Sequence, residues 1–343
     1  MLDTEERRLL ACMPVLLRIP TVQEQSFLDS IYALKNYNNA QVRKGIPDLN
    51  HERLRPHRKG RLREYFKLFP NPFSALIKIC HKQLDKLNEE RLQIDQHDIN
   101  QDTTDCFLLP CPPYKPIACV FVRPATLKLP FTILFSHENA ADLGDICFGF
   151  PGLQDIADFV GCNMCAYDYT GYGLSHGQPG ELKCYANIKA VHSMLSTKYN
   201  IDDDRLILWG FSLGTAVCID LAAQLDKLLA VILIAPFTSV IRVALCSERS
   251  TSSKCDQFCS IDKIQRIKAR TLIIHGTDDT VVPFHHGLKL QDRLINPSNP
   301  LHLLGYTHDN LEYSGKLWKR IFNFLHYEIT ENWKDFKANP WQR

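Results

Sequence analysis

The chain has 343 residues and a mass of 39.4 kDa, 45% hydrophobic and 23% charged, which suits one large domain or two smaller ones. Its 40 basic and 38 acidic residues leave a formal net charge of +2, too even for the one-sided field of a dedicated nucleic-acid binder. Thirteen cysteines, an odd number without compact spacing, argue against a secreted disulfide framework and for reduced intracellular thiols.

The first residues make a poor signal peptide. Asp3, Glu5 and Glu6 offset Arg7 and Arg8, Pro14 interrupts the apolar run from Leu9 to Leu17, and no small-residue cleavage site follows. No stretch reaches the ~18 continuous apolar residues of a membrane span. The expectation is a soluble protein of the cytosol, or one peripherally associated with the cytosolic face of membranes. Residues 51–67, HERLRPHRKGRLREYFK, concentrate seven Lys/Arg against two Glu, and Asn, Gln and Asp crowd the stretch from Asn88 to Asp105. The basic run offers a peripheral contact to anionic lipid, although a solvated charged face is the simpler reading. Residues 1–111 are therefore read as an N-terminal extension, partly helical or irregular, 112–326 as a folded domain, and 327–343 as a C-terminal tail.

From Ile117 the pattern changes to short β-branched and aliphatic runs alternating with helical segments, the mark of βαβ units and a mostly parallel sheet flanked by helices. Strands are predicted at Ile117–Val122, Phe131–Phe135, Asn163–Tyr167, Arg205–Trp209, Leu229–Ile234, Thr271–His275 and Leu301–Leu304. Several lack polar alternation, as strands buried on both faces should. Helical spacing of apolar residues marks Leu182–Tyr199, Thr215–Leu225 and Leu317–Tyr327.

The strand RLILW runs directly into Gly210-Phe211-Ser212-Leu213-Gly214 and then into a helix-forming run. A lone G-x-S-x-G is weak evidence, but between a buried strand and a helix it describes a sharp turn holding a serine in a strained conformation. The two glycines relieve crowding where strand and helix cross. A serine hydroxyl is a poor nucleophile at neutral pH and needs a base, itself oriented by a third group. Two later loops supply these in matching order. After TLIIH comes Gly276-Thr277-Asp278-Asp279-Thr280-Val281-Val282-Pro283, and after LHLLG comes Tyr306-Thr307-His308-Asp309. Ser212, then Asp279, then His308 is the chain order of the α/β-hydrolase fold. Asp279 fits the pattern H-G-x-x-D-x-x-V-P, with Asp278 as runner-up. His275, His285 and His286 read as structural or surface residues.

A tetrahedral intermediate also requires two N–H donors for its oxyanion, worth about 2.7–4 kcal/mol each where one has been removed. Leu213, directly after the serine, is one candidate. Asn139, in the loop Ser136-His137-Glu138-Asn139 after the strand FTILFS, is the other. Such chemistry needs neither metal nor cofactor. Cys162-x-x-Cys165 and Cys255-x-x-x-Cys259 have spacings that zinc uses, but Cys165 falls in a predicted buried strand and core thiols are the favoured reading.

SHENAADLG, YDYTGYGLSHGQPGE, GFSLGT, IAPFTS, IIHGTDDTVV and GYTHDN together resemble the α/β-hydrolase domain-containing protein 17 family of acyl-protein depalmitoylases, over about Ile117 to Leu325. The resemblance implies hydrolysis of the thioester between a palmitoyl chain and a protein cysteine, S-palmitoylated proteins as substrates, and Ser212, Asp279 and His308 as triad. Two features depart from the family pattern. Glu138 stands where that family has glycine, placing a carboxylate beside a developing oxyanion. The family's N-terminal cysteine cluster, which is palmitoylated, has no counterpart here, where only Cys12 and Cys80 precede Cys106.

Overall fold

The computed structural model describes residues 103–149, 151–244 and 256–331. The basic run 51–67, Cys12, Cys80 and Cys255 lie outside these residues. Eight strands form one sheet: β1 (Thr104–Leu109), β2 (Ile117–Val122), β3 (Thr132–Ser136), β4 (Asn163–Tyr167), β5 (Leu206–Phe211), β6 (Ala230–Ile234), β7 (Arg270–Gly276) and β8 (Leu301–Leu303). Their order in space is β1-β2-β4-β3-β5-β6-β7-β8. The β1–β2 and β2–β4 pairs are antiparallel, and every other pair is parallel.

Burial explains which segments became strands. Every residue of β2, β3, β5 and β6 is buried, so β2, β5 and β6 read as unbroken apolar runs, and β3 does between its buried Thr132 and Ser136. By contrast, β1 is an edge strand with partly exposed residues. It falls inside the expected N-terminal extension 1–111, yet it pairs with β2 along its whole length, from Thr104 opposite Val122 to Leu109 opposite Ile117.

The helices are α1 (Leu143–Phe148), α2 (Leu153–Val160), α3 (Glu181–Tyr199), α4 (Leu213–Ala222), α5 (Val240–Ala244), α6 (His285–Gln291) and α7 (Gly315–Asn323), the last continuing into a π-turn over Phe324–Ile329. The final helix thus runs past the expected boundary at 326. A reciprocal capping box starts α1: Asp142 accepts from the Asp145 N–H at 3.1 Å and Asp145 accepts from the Asp142 N–H at 3.2 Å. Gly161, at φ 69°, ends α2 in the left-handed conformation. Trp209 on β5 contacts Phe135 on β3 and Trp318 on α7, with centroids 5.9 and 6.3 Å apart, and Phe159 of α2 meets Trp318 edge-on at 6.1 Å. This aromatic chain joins the sheet centre to its covering helices.

Because β3, β5, β6, β7 and β8 are parallel, the loops that follow them leave the same carboxyl edge. That edge is where parallel α/β sheets place their ligands. Ser136 pairs with Gly210, so residues 137–139 emerge directly beside Phe211, Ser212 and Leu213.

Candidate active site

Ser212 sits at φ 49° and ψ −111° between β5 and α4. A side chain in this region costs about 1–3 kcal/mol, so the surroundings must hold it there. The Ser212 N–H donates to the Ile234 carbonyl at 2.9 Å, and the Ser212 carbonyl accepts from the Thr215 N–H at 3.0 Å and the Thr215 hydroxyl at 2.6 Å. The flanking glycines are obligatory for space. A Cβ on Gly210 would lie 2.5 Å from the Gly214 carbonyl carbon, and one on Gly214 would overlap the Ser136 carbonyl.

Asp279 and His308, 29 residues apart in sequence, meet at 2.6 Å between Oδ2 and Nδ1. The other carboxylate oxygen, Oδ1, accepts the N–H groups of Val281 at 2.9 Å and Val282 at 2.7 Å. Burial would push the Asp279 pKa up, but hydrogen bonds from His275 and His308, the charge of His308 and the Val282 N–H together hold it well below the usual carboxylate range. Asp278 is exposed and accepts from the neighbouring Thr277 hydroxyl, so Asp279 is the carboxylate that meets the histidine. Ser212 and His308 are not hydrogen-bonded to each other. Phe211 links them instead, its ring stacked on the imidazole at 5.3 Å and 28°.

His275 adds something its sequence position did not reveal. It is fully buried, with Nε2 2.9 Å from the Val282 carbonyl and 3.5 Å from Asp279 Oδ2, so it buttresses the carboxylate from behind. His286 bonds the Thr238 hydroxyl at 2.8 Å through Nδ1.

Leu213 is the first residue of α4, and the first N–H groups of a helix have no intrahelical acceptor. The positive end of the helix dipole adds to the same spot. Asn139 lies in the loop after β3, its side-chain oxygen accepting from the Tyr172 hydroxyl at 2.7 Å. Between Asn139 and His137, Glu138 is half-buried, and burial pushes its carboxyl up to about 7 with help from the charges of Glu312 and Asp145, while a hydrogen bond from its own backbone N–H and the attraction of His308 oppose the rise. His137 is buried and pushed down to about 4 by loss of solvent, despite the Glu138 carbonyl 2.7 Å from its Nδ1.

Cys162 and Cys165 are fully buried, their thiols pushed up to about 12 by burial. They pack in the core as small apolar groups. Among the described residues no group of three or more His, Cys, Asp and Glu is placed to hold a metal ion, and no helix is long and apolar enough to cross a membrane.

A strained serine at a strand-to-helix turn, a buried Asp–His pair on later loops and a mostly parallel eight-stranded sheet define a serine hydrolase of the α/β-hydrolase class. The sequence pattern of the Prolyl oligopeptidase family matches residues 176–325. Among solved structures, the Pyrococcus horikoshii acylaminoacyl peptidase has 14% identity and a TM-score of 0.54, covering 67% of this chain and 42% of its own. An esterase of Pyrococcus furiosus has 16% identity and a TM-score of 0.54, covering 65% and 91%. Both share the fold. Alpha/beta hydrolase domain-containing protein 17B of Homo sapiens is 39% identical over 241 residues, 70% of this chain and 82% of the relative, and the Xenopus tropicalis protein of the same name matches to the same extent. The chain belongs to the α/β-hydrolase domain-containing protein 17 family.

Proposed function

We propose that the protein hydrolyses palmitoyl thioesters on S-acylated protein cysteines through an acyl-enzyme on Ser212. His308 takes the hydroxyl proton as Ser212 Oγ attacks the thioester carbonyl, and Asp279 fixes the imidazole tautomer and stabilises the cation formed. The N–H groups of Leu213 and Asn139 receive the oxyanion. Collapse expels the cysteine thiolate, which takes the proton from His308. Water, activated by the same histidine, then releases the fatty acid. The observation that carries this reading is the 2.6 Å contact between His308 Nδ1 and Asp279 on loops at the Ser212 edge of the sheet. The thioester class rests on the family block YDYTGYGLSHGQPGE. Substrates of this kind place the enzyme in the cytosol or on the cytosolic face of membranes, in keeping with nine described cysteines that are all free thiols.

A fluorophosphonate probe should label the wild type and not Ser212→Ala. An S-palmitoylated protein assayed beside a panel of p-nitrophenyl esters then ranks substrates. A folded wild type that takes no label would overturn the enzyme reading. Hydrolysis of the esters with an untouched acyl-protein would instead leave a carboxylesterase or lysophospholipase with the same triad.

A further inference from the structure

The loop after β4 reaches across to the loop after β3 through a set of buried contacts that the reaction above does not use. The two loops are neighbours because β3 and β4 are paired and parallel, Phe135 opposite Ala166. From the β4 side, the Tyr169 hydroxyl donates to the His137 carbonyl at 2.8 Å and the Tyr172 hydroxyl donates to Asn139 Oδ1 at 2.7 Å. Asp168 Oδ1 accepts the Leu143 N–H at 2.8 Å at the start of α1, and its Oδ2 accepts the Leu174 N–H at 3.0 Å. The residues gripped are thus 137, 139 and 143, which bracket the candidate oxyanion donor.

The gripping groups are themselves rigid. Tyr169 and Tyr172 are almost wholly buried, packed edge-to-face at 5.4 Å and 81°, with the His137 ring 4.4 and 5.7 Å from theirs. Gly173 is at φ 45° with its α-carbon against Asp168, and a Cβ there would strike that carboxylate. This explains the DYTGYG block in physical terms. Its aspartate and tyrosines point into the neighbouring loop, and its glycine lets the chain turn close enough for them to do so.

We propose that Tyr172 is a positioning residue for the oxyanion site: by anchoring the Asn139 side chain it fixes the direction of the Asn139 N–H. The proposal rests on the serine-hydrolase reading of Ser212 and on the donor role assigned to Asn139. The tether matters because position 138 is occupied by glutamate, whose half-buried side chain must share the loop with the donor. An oxyanion donor acts only if it is aimed before the charge develops. A buried hydroxyl held in the loop after β4 supplies that aim.

Tyr172→Phe keeps the ring and deletes the hydroxyl. With a p-nitrophenyl ester, kcat should fall about tenfold, less than the 10²–10³ lost when a donor is removed outright, while KM stays within about twofold. A trifluoromethyl ketone is the sharper probe, since Ser212 Oγ adds to its carbonyl, the hydroxyl proton passes to His308 and the carbonyl oxygen becomes the oxyanion. Its inhibition constant should rise by the same factor as kcat falls. Asn139→Ala should cause a matching loss, and the double variant no more than either single one, because both remove one tether. Amide exchange over residues 137–143 should quicken in Tyr172→Phe.

Wild-type kcat, inhibition constant and exchange in Tyr172→Phe would overturn the proposal, as would losses that add in the double variant. Full hydrolysis by Ser212→Ala would overturn the serine-hydrolase reading instead. The exchange measurement, which needs no turnover, then still decides whether the hydroxyl holds the loop.

Discussion

Glu138 allows a quantitative test, because its carboxyl ionises near 7 in the folded protein against an ordinary 4.5. Well below pH 4.5 the group is neutral in both folded and unfolded chains and costs nothing. As pH rises from 4.5 to 7 the unfolded chain releases its proton first, so folding is progressively penalised, and above 7 the penalty is complete. At ~1.4 kcal/mol for each tenfold in proton affinity, the ceiling is about 3 kcal/mol. Water reaching a half-buried side chain reduces this to roughly 1–2 kcal/mol. Glu138→Gln removes the charge and keeps the shape. Its unfolding free energy, measured in denaturant, should come within about 0.5 kcal/mol of the wild type at pH 4.5 and exceed it by roughly 1–2 kcal/mol at pH 8. A difference that does not change with pH would refute the reasoning.

The same carboxylate bears on catalysis. Once ionised it opposes the oxyanion but favours the His308 imidazolium, which it attracts. These two effects oppose each other, and Glu138→Gln should change kcat severalfold at most at pH 8. The family's glycine has no side chain to bury and therefore avoids the stability penalty altogether.

Two further outcomes follow from the elbow and the Asp–His pair. Asp279→Asn removes the acceptor that orients the His308 Nδ1 proton and should lower kcat by about 10³–10⁴ with little change in KM, read from the pH–rate profile of ester hydrolysis. Gly214→Ala forces a methyl into the Ser136 carbonyl and should cost about 1–3 kcal/mol or more of stability, as overpacking does, seen as a lower Tm together with loss of probe labelling.

Much of this could be read from residues because it depends on local chemistry. Strands such as IACVFV and AVILI are buried on both faces and therefore unbrokenly apolar. Gly210 and Gly214 betray the elbow because the clash they avoid lies within four residues or at the adjoining strand. Spacing from His275 favours Asp279 over Asp278. β1 escaped because its TDCFLL run follows a tract rich in Asn and Asp and buries only part of itself, α1 is too short to show a period and is held by the Asp142 and Asp145 capping box, and α2 does bury Leu153, Ile156, Ala157 and Val160 at helical spacing, but over only eight residues closed by Gly161.

The buttress of His275 behind Asp279 and the reach of Tyr172 to Asn139 are a different kind of feature. The second spans 33 residues, and its direction follows from β4 lying on the far side of β3 from β5, a sheet order that apolar periodicity does not encode. A motif of aspartate, tyrosine and glycine can look like a substrate-contacting signature in sequence. Placed in this sheet, it grips the loop that carries the proposed oxyanion donor Asn139. Substitutions in it should therefore act on transition-state binding and leave ground-state affinity largely intact.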